Sequence, residues 1–173
     1  KEDYFGSPIT PTVTVIPPDD VTLNQILSND HWRTLFKKYS ATEYSEENIE
    51  FHEHAKVLRL TKKRMHEALE QGTDAFRPIF DSYKQQRAKI YSLFLAPDSL
   101  YALNISDGLR DAIRSDFLKS MEENSFFCVI DDSPNFELVE RSVEHCMYDI
   151  FKRFRDSGMW HDYVTSLTDV RRK

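Results

Sequence analysis

The chain has 173 residues, 40% of them hydrophobic and 13% aromatic, which is enough to build the core of one domain. Its net charge of −6 argues against nucleic acid as a partner, because phosphate binding depends on clusters of lysine and arginine. With only four glycines and no GxGxxG or P-loop pattern, it has no glycine-rich phosphate loop. No apolar run reaches the roughly 18 residues of a membrane span. Two cysteines, Cys128 and Cys146, favour a reducing compartment over a disulfide framework.

The first twenty residues differ from the rest in composition. The run SPITPTVTVIPPDD holds four of the seven prolines and shows no helical period. Proline lacks a backbone donor and holds the preceding residue in an extended conformation. Residues 1–20 are therefore predicted to form an extended linker or a strap lying on the domain. The domain is predicted over residues 21–166, and residues 167–173 are predicted to form a charged tail.

From residue 22 onward, apolar residues recur with the period of a helix. Thr22 and Asp30 are predicted to cap two short helices. Ser45 is predicted to open a long helix that ends at Gly72. The side chains predicted to face the core here are Leu23, Ile26, Leu27, Trp32, Leu35, Phe36, Tyr39, Phe51, Ala55, Leu58, Met65 and Leu69.

The second half of the chain continues the same pattern. Asp74 is predicted to start a helix that Pro97 stops, and Ser106 to cap the next. Ser133 followed by proline predicts the start of a last long helix, closed by Gly158. The predicted core residues are Phe76, Phe80, Tyr83, Ile90, Tyr91, Phe94, Leu109, Ile113, Phe117, Phe136, Val139, Val143, Met147, Ile150 and Phe154, with Trp160 and Tyr163 in a short final helix. The strand-like run Phe126–Ile130 is short and isolated, so it is interpreted as a buried connector in an all-α bundle.

Patterns of catalytic chemistry are weak. His52 and His54 are two residues apart, so on a helix they point in nearly opposite directions and do not share a metal ion. Cys146 follows His145 directly, which puts the two side chains on different faces of a helix and disfavours a thiolate pair. The sequence therefore predicts no catalytic residue, no metal site and no cofactor.

Three groups of polar residues stand out: at a helix entrance, in a turn and on the last long helix. They are Ser45, Glu47 and Asn48; then Asn104; then Asp149 and Arg153. Each group also has a purely structural interpretation. Ser45 could be a helix cap, Asn104 a turn residue, and the pair on the last helix an exposed i, i+4 ion pair worth about 0.5 kcal/mol. Taken one group at a time, the structural interpretation is favoured.

Taken together, the segments that carry these residues change the balance. EYSEENIEF at residues 43–51, LNIS and LRDAI within residues 103–113, and Asp149, Phe151, Arg153, Phe154 and Ser157 occur in this order. They resemble the signature blocks of the regulator of G-protein signalling (RGS) domain, over about residues 23–163. The resemblance implies an all-α bundle of about nine helices. It also implies binding to the α subunit of a heterotrimeric G protein (Gα), in its GTP or transition-state form, and acceleration of GTP hydrolysis.

The resemblance carries over to individual positions. Ser45, Glu47 and Asn48 match the first group of Gα contacts, and Asp149 and Arg153 match the contacts from the last long helix. Asn104 matches the asparagine that reaches the switch regions and the catalytic glutamine of Gα. All six residue types are those of the family, so the resemblance implies a binding surface here.

Four features depart from the family pattern. His145, the seventh residue predicted to contact Gα, stands where an apolar contact residue is usual, which puts the choice of partner in question. His52 stands where tryptophan is usual, which puts some core packing in question. Glu137 and Glu140 replace an aspartate and a glutamine. The segment at residues 60–80 looks longer than the usual connection.

Two alternatives stay open. One is an RGS-like helical scaffold that binds a signalling partner without accelerating hydrolysis, against which the presence of Asn104 argues. The other is an unrelated helical adaptor, in which the ordered segments would be a coincidence. The resemblance implies a regulator that ends G-protein signalling and has no catalytic centre of its own. It implies a cytoplasmic location, at the inner face of the plasma membrane through the partner.

Overall fold

The structure is a computed structural model that describes residues 20–123 and 130–170, with side chains described to residue 167. Within those ranges it contains seven α-helices and no β-strand. They are α1 (Leu23–Ser28), α2 (Asp30–Thr42), α3 (Glu46–Glu70), α4 (Phe76–Ile90), α5 (Asp107–Glu123), α6 (Pro134–Arg155) and α7 (Gly158–Val170). A π-helical turn at Tyr91–Leu95 extends α4, and a 3-10 turn at Ile130–Asp132 precedes α6. The all-α fold is confirmed, and the described residues hold seven α-helices rather than about nine.

The first helix begins as the sequence predicts, and the second begins one residue earlier. Thr22 forms a capping box with Gln25: its side chain accepts from the Gln25 N–H, and the Gln25 side chain accepts from the Thr22 N–H. The cap of α2 is Asn29 rather than Asp30, since Asn29 Oδ1 accepts from two backbone N–H groups, each at 3.1 Å. Asn29 has extended backbone angles, as a cap requires, whereas Asp30 is already helical.

Helices α3 and α4 form a long antiparallel hairpin. Gly72 ends the run of α3 with a φ of 60°, which a residue without a side chain adopts readily. The prediction that Leu69 faces the core was wrong: it is 47% exposed. Thr61, Met65 and Ala68 are buried at i, i+4 and i+7. The residue that faces the core in the last turn is therefore Ala68, one position before Leu69.

Two helix boundaries near the predicted capping residues differ in detail. Helix α4 begins at Phe76, two residues after Asp74, and its N-cap makes no side-chain hydrogen bond. Gly158 is the first residue of α7, so it begins that helix and α6 ends earlier, at Arg155. In contrast, Ser133 caps α6 as predicted, because its side chain accepts from the Asn135 N–H.

Aromatic rings join the helices into one core. Phe51 of α3 contacts Phe94 of the π-helical turn and Phe136 of α6, with ring centroids 5.5 and 5.9 Å apart. Phe154 of α6 contacts Phe36 of α2 and Trp160 of α7, both at 5.3 Å. Except for Leu69, the residues predicted to face the core are either buried in it or packed against its edge. These contacts fix α2, α3 and α6 relative to one another. The start of α3 and the end of α6 carry two of the three polar groups described above.

A buried polar network ties α4 to the turn before α6. The Tyr83 hydroxyl donates to Asp131 Oδ1 at 2.7 Å and accepts from the Ile130 N–H at 3.1 Å. Lys62 Nζ lies 3.5 Å from the other Asp131 oxygen. Burial, with the adjacent Asp131 carboxylate, raises the pKa of Tyr83 above its usual range, so the hydroxyl keeps its proton. Every polar atom of this contact therefore has a partner.

Several predictions concern residues outside the described ranges. Residues 1–19 of the predicted linker, residues 126–129 of the predicted connector and residues 171–173 of the predicted tail lie there, and the domain boundaries stay predictions. Ile130, the last residue of the connector, is buried. None of the helices in residues 20–123 and 130–170 is both long enough and apolar enough to cross a bilayer.

Candidate functional site

The turn between α2 and α3 is a Schellman motif built around a tyrosine. The Ser45 N–H donates to the Ser40 carbonyl at 3.0 Å, and the Tyr44 N–H donates to the Ala41 carbonyl at 3.2 Å. Tyr44 has a φ of 54°, in the left-handed region where glycine is usual, and it is 92% exposed. A side chain in that conformation costs about 1 kcal/mol. The packed helices on either side must therefore hold the turn in this form.

Ser45, Glu47 and Asn48 follow directly at the entrance of α3. The Ser45 hydroxyl donates back to the Glu43 carbonyl at 3.0 Å and makes no capping bond to α3. Asn48 is buried, and its Nδ2 donates to Glu47 Oε1 at 2.9 Å and to the Ser45 carbonyl at 3.4 Å. Burial raises the pKa of the half-buried Glu47, and the Asn48 hydrogen bond opposes that shift. Asn48 thus lies beneath the surface and holds Glu47 in place.

Asn104 lies at the centre of a γ-turn. The Ile105 N–H donates to the Leu103 carbonyl at 3.0 Å, and the φ of Asn104 is not positive, as in the common inverse form. Leu103 and Ile105 are buried, whereas Asn104 is exposed and its side chain bonds to no described residue. Arg110 of α5 donates through Nη2 to the Leu103 carbonyl at 2.7 Å and to the Ile105 carbonyl at 3.4 Å. The turn is anchored on both sides and presents a free carboxamide.

On α6, Asp149 and Arg153 pair with other residues rather than with each other. Arg153 Nε donates to the two oxygens of Glu43 at 3.1 and 3.0 Å, and its Nη2 donates to Oε2. Asp149 lies 3.4 Å from Lys152 Nζ and 3.8 Å from His145 Nε2. The His145 side chain is 80% exposed. The local i, i+4 pair expected as the structural interpretation of these residues is therefore absent from the described part of α6.

The α2–α3 turn, the loop that leads to Asn104, and α6 meet at one end of the bundle. A groove of about 470 Å³ separates the turn from residues 100–102; its lining is Ala41, Tyr44, Glu46, Glu47, Leu100, Tyr101 and Ala102. The ion pair between Arg153 and Glu43 joins α6 to the same turn. The pKa of half-buried Cys146 on α6 is raised by burial, then by the nearby charges of Glu47 and Asp149. The seven predicted site residues lie on these three segments.

Two supporting residues, Glu43 and Arg110, were not singled out from the sequence. Glu43 lies in the first signature segment, but its partner Arg153 is 110 residues away. Arg110 lies in the second segment, and its bonds go to backbone carbonyls, which no side-chain pattern reveals. The only local signal was the i, i+4 spacing of Tyr39 and Glu43, whose side chains do bond.

Three residues that depart from the family pattern, His52, Glu137 and Glu140, lie along the junction of α3 and α6. His52 lines a groove of about 340 Å³ between these helices, and burial lowers its pKa, followed by the charge of Lys56. Glu140 makes a bidentate ion pair with Arg59 of α3. Glu137 pairs instead with Arg141, four residues along the same helix. Glu140 therefore crosslinks the two helices, and Glu137 is part of an exposed local pair.

The comparison with known families identifies the chain. The model of the Regulator of G protein signaling domain matches residues 22–163, from the cap of α1 into α7. The matched range includes the γ-turn, the α2–α3 turn and the whole of α6, so all seven site residues fall inside it. No curated protein sequence matches the chain. Domains of this family regulate G-protein signalling. The chain belongs to the family of regulator of G protein signaling domains.

Proposed function

We propose that this domain binds Gα and accelerates its GTP hydrolysis, which ends the signal that Gα carries. The observation that supports this most directly is the free carboxamide of Asn104. It is exposed on a γ-turn that Arg110 holds, and it has no partner among the described residues. A polar side chain on a rigid turn, with its own hydrogen bonds unmade, suits contact with another protein.

The mechanism needs no catalytic group in the domain. Gα holds its own arginine, glutamine and Mg²⁺ around the γ-phosphate. A partner that binds the transition-state arrangement of the switch loops more tightly than the GTP ground state lowers the barrier by the difference. Each 1.4 kcal/mol or so of that preference gives about a tenfold faster reaction. Rigid presentation of the contact residues is what the domain supplies.

Asn104 is proposed to hold the catalytic glutamine and the adjoining switch region of Gα. A carboxamide has two N–H donors and an acceptor oxygen, so it can bond a glutamine side chain and a backbone group together. The turn is anchored by the buried Leu103 and Ile105. Little reorganisation is therefore needed when Gα reaches the transition state, and groups that are already in place contribute most.

The charged residues at the same end are proposed to hold the switch loops around that centre. Glu47 offers a carboxylate supported by Asn48, and Ser45 shapes the turn in front of it. Asp149 is half exposed, and Arg153 keeps the N–H groups that Glu43 does not use. His145, one helical turn before Asp149, lies at the edge of this face. Binding to Gα would place the domain in the cytoplasm, at the inner face of the plasma membrane.

The test is single-turnover GTP hydrolysis by Gα, with and without the domain. We expect acceleration by the wild-type domain, and a loss of about a hundredfold with Asn104→Ala, the size seen when one transition-state donor is removed. Asn24→Ala is the matched control, because it removes the same amide from an exposed position on α1. Equal acceleration by the two variants would show that the amide at position 104 has no special role.

The nucleotide state of Gα separates acceleration from scaffolding. The domain is expected to bind Gα loaded with GDP and aluminium fluoride, which mimics the transferring phosphoryl group, more tightly than Gα with GDP or a non-hydrolysable GTP analogue. Equal affinity for all three states, without acceleration, would leave only the scaffold function. Titrations of one Gα in the three states against the same domain preparation decide between these outcomes.

A further inference from the structure

Arg153 is held in one orientation by Glu43, the C-cap residue of α2, which is itself bonded to Tyr39 of that helix. The guanidinium donates through Nε and Nη2 to the Glu43 carboxylate, and the Tyr39 hydroxyl donates to Glu43 Oε1 at 2.7 Å. The Tyr39 ring packs on Phe154, with centroids 5.5 Å apart. We call Tyr39, Glu43 and Arg153 the clasp. It joins the end of α2 to α6 at the face proposed to bind Gα.

The charges around the clasp reinforce it. The Arg153 guanidinium, through its hydrogen bonds, is the largest influence on the Glu43 carboxyl and lowers its pKa. Hydrogen bonds to Glu43 likewise raise the pKa of Arg153. Burial raises the pKa of Tyr39, followed by the Glu43 carboxylate, so the hydroxyl keeps its proton and donates. At neutral pH all three groups are in the protonation state that the contact needs.

We infer that Glu43 and Tyr39 are positioning residues, which orient Arg153 for its contact with Gα. This inference rests on the proposed function. A long side chain that is free in solution loses rotamer freedom when a partner immobilises it, and that loss weakens binding. A bidentate contact with a carboxylate fixes the plane of the guanidinium before the partner arrives. The clasp thus reduces the rotamer freedom that Arg153 loses on binding, by an amount equivalent to about a two- to tenfold change in Kd.

The simpler role is a surface ion pair that only stabilises the fold. The side chains of Arg153 and Glu43 are 55% and 22% exposed, and exposed pairs add little to stability. The two roles differ in what they predict. A stabilising pair changes the melting temperature and leaves the affinity of the folded domain for Gα unchanged. A positioning role changes affinity, and only while Arg153 is present.

A double-mutant cycle makes this distinction. The measured quantity is the Kd for Gα loaded with GDP and aluminium fluoride. We expect Arg153→Ala to raise Kd about tenfold and Glu43→Ala about two- to tenfold. The double variant should be no weaker than Arg153→Ala alone, because Glu43 acts through Arg153. Tyr39→Phe removes only the hydroxyl and should raise Kd less than Glu43→Ala does.

Two further variants sharpen the cycle. In an Arg153→Lys background, Glu43→Ala should cost less than in the wild type, because an ammonium group cannot form the bidentate contact. Glu70→Ala is the charge control: it removes one exposed carboxylate at the far end of α3 and should leave Kd unchanged. In the free domain, the Nε–H resonance of Arg153 should exchange slowly with water, and Glu43→Ala should make that exchange fast.

The outcomes separate this inference from the function on which it rests. If the wild-type domain binds Gα but the losses of Glu43→Ala and Arg153→Ala add, Glu43 acts independently and the inference is overturned alone. An unchanged Kd in Arg153→Ala has the same consequence. If the wild-type domain does not bind Gα in any nucleotide state, the proposed function fails and the inference fails with it.

Discussion

Arg110 provides the sharpest test of the idea that a rigid turn, rather than a single side chain, makes the domain active. Its side chain donates to the carbonyls on both sides of Asn104, at 2.7 and 3.4 Å. Arg110→Met keeps most of the aliphatic stem and deletes both bonds. If the turn positions Asn104, the variant should lose GTPase acceleration although Asn104 is intact.

The magnitude follows from the two hydrogen bonds. A bond from a charged donor to a carbonyl contributes about 1.5 to 3 kcal/mol, and the longer bond adds little, so the loss in unfolding free energy is roughly 2 kcal/mol. For a domain of this size that lowers Tm by about 4 to 8 °C, which leaves the variant folded at 20 °C. A displacement of the Asn104 amide by about 1 Å can slow the reaction by up to a hundredfold.

Arg114→Met is the matched control for this experiment. Arg114 lies one turn further along α5, is also half-buried, and donates to the Leu95 carbonyl instead of to the γ-turn. Both variants should show a similar drop in Tm by calorimetry. Only Arg110→Met should lose acceleration in single-turnover assays at 20 °C. Equal acceleration by the two variants, at saturating domain, would refute the idea that the turn must be held.

Three further predictions concern stability and partner choice. Tyr83→Phe should lower the unfolding free energy by about 2 to 4 kcal/mol, since it leaves an Asp131 oxygen and the Ile130 N–H without partners; urea denaturation measures this, and a loss below about 1 kcal/mol would contradict the network. Burial holds the pKa of His52 below its ordinary value of 6.5. Below that pH, His52 therefore binds a proton more readily in the unfolded chain than in the folded one, and the free energy of unfolding falls as the pH decreases. His52→Phe should reduce this decline between about pH 7 and 5.5, measured as urea midpoints, and parallel curves for the two proteins would contradict it. His145→Leu should tighten Gα binding by roughly 1 kcal/mol through apolar burial, and an unchanged Kd would remove His145 from the face.

The sequence by itself determined the helical class, the order of the helices and most of their core-facing residues. Those features depend on interactions within about four residues along the chain, such as helical periodicity and capping. Thr22 and Ser133 cap their helices as predicted because both the donors and the acceptors lie in one short segment. The same reach explains the small errors: Asn29 and Asp30 are both good caps, and only the backbone angles show which residue has already entered the helix.

The arrangement of the candidate site was decided by the tertiary structure. The sequence offered Asp149 and Arg153 as an i, i+4 pair, but packing brings α6 against the end of α2, and Arg153 pairs with Glu43, 110 residues away. Asn48 was predicted to contact Gα, and it is buried with its amide bonded to Glu47. Contacts of this kind depend on the relative placement of whole helices, which the packed aromatic core sets and which no local pattern encodes.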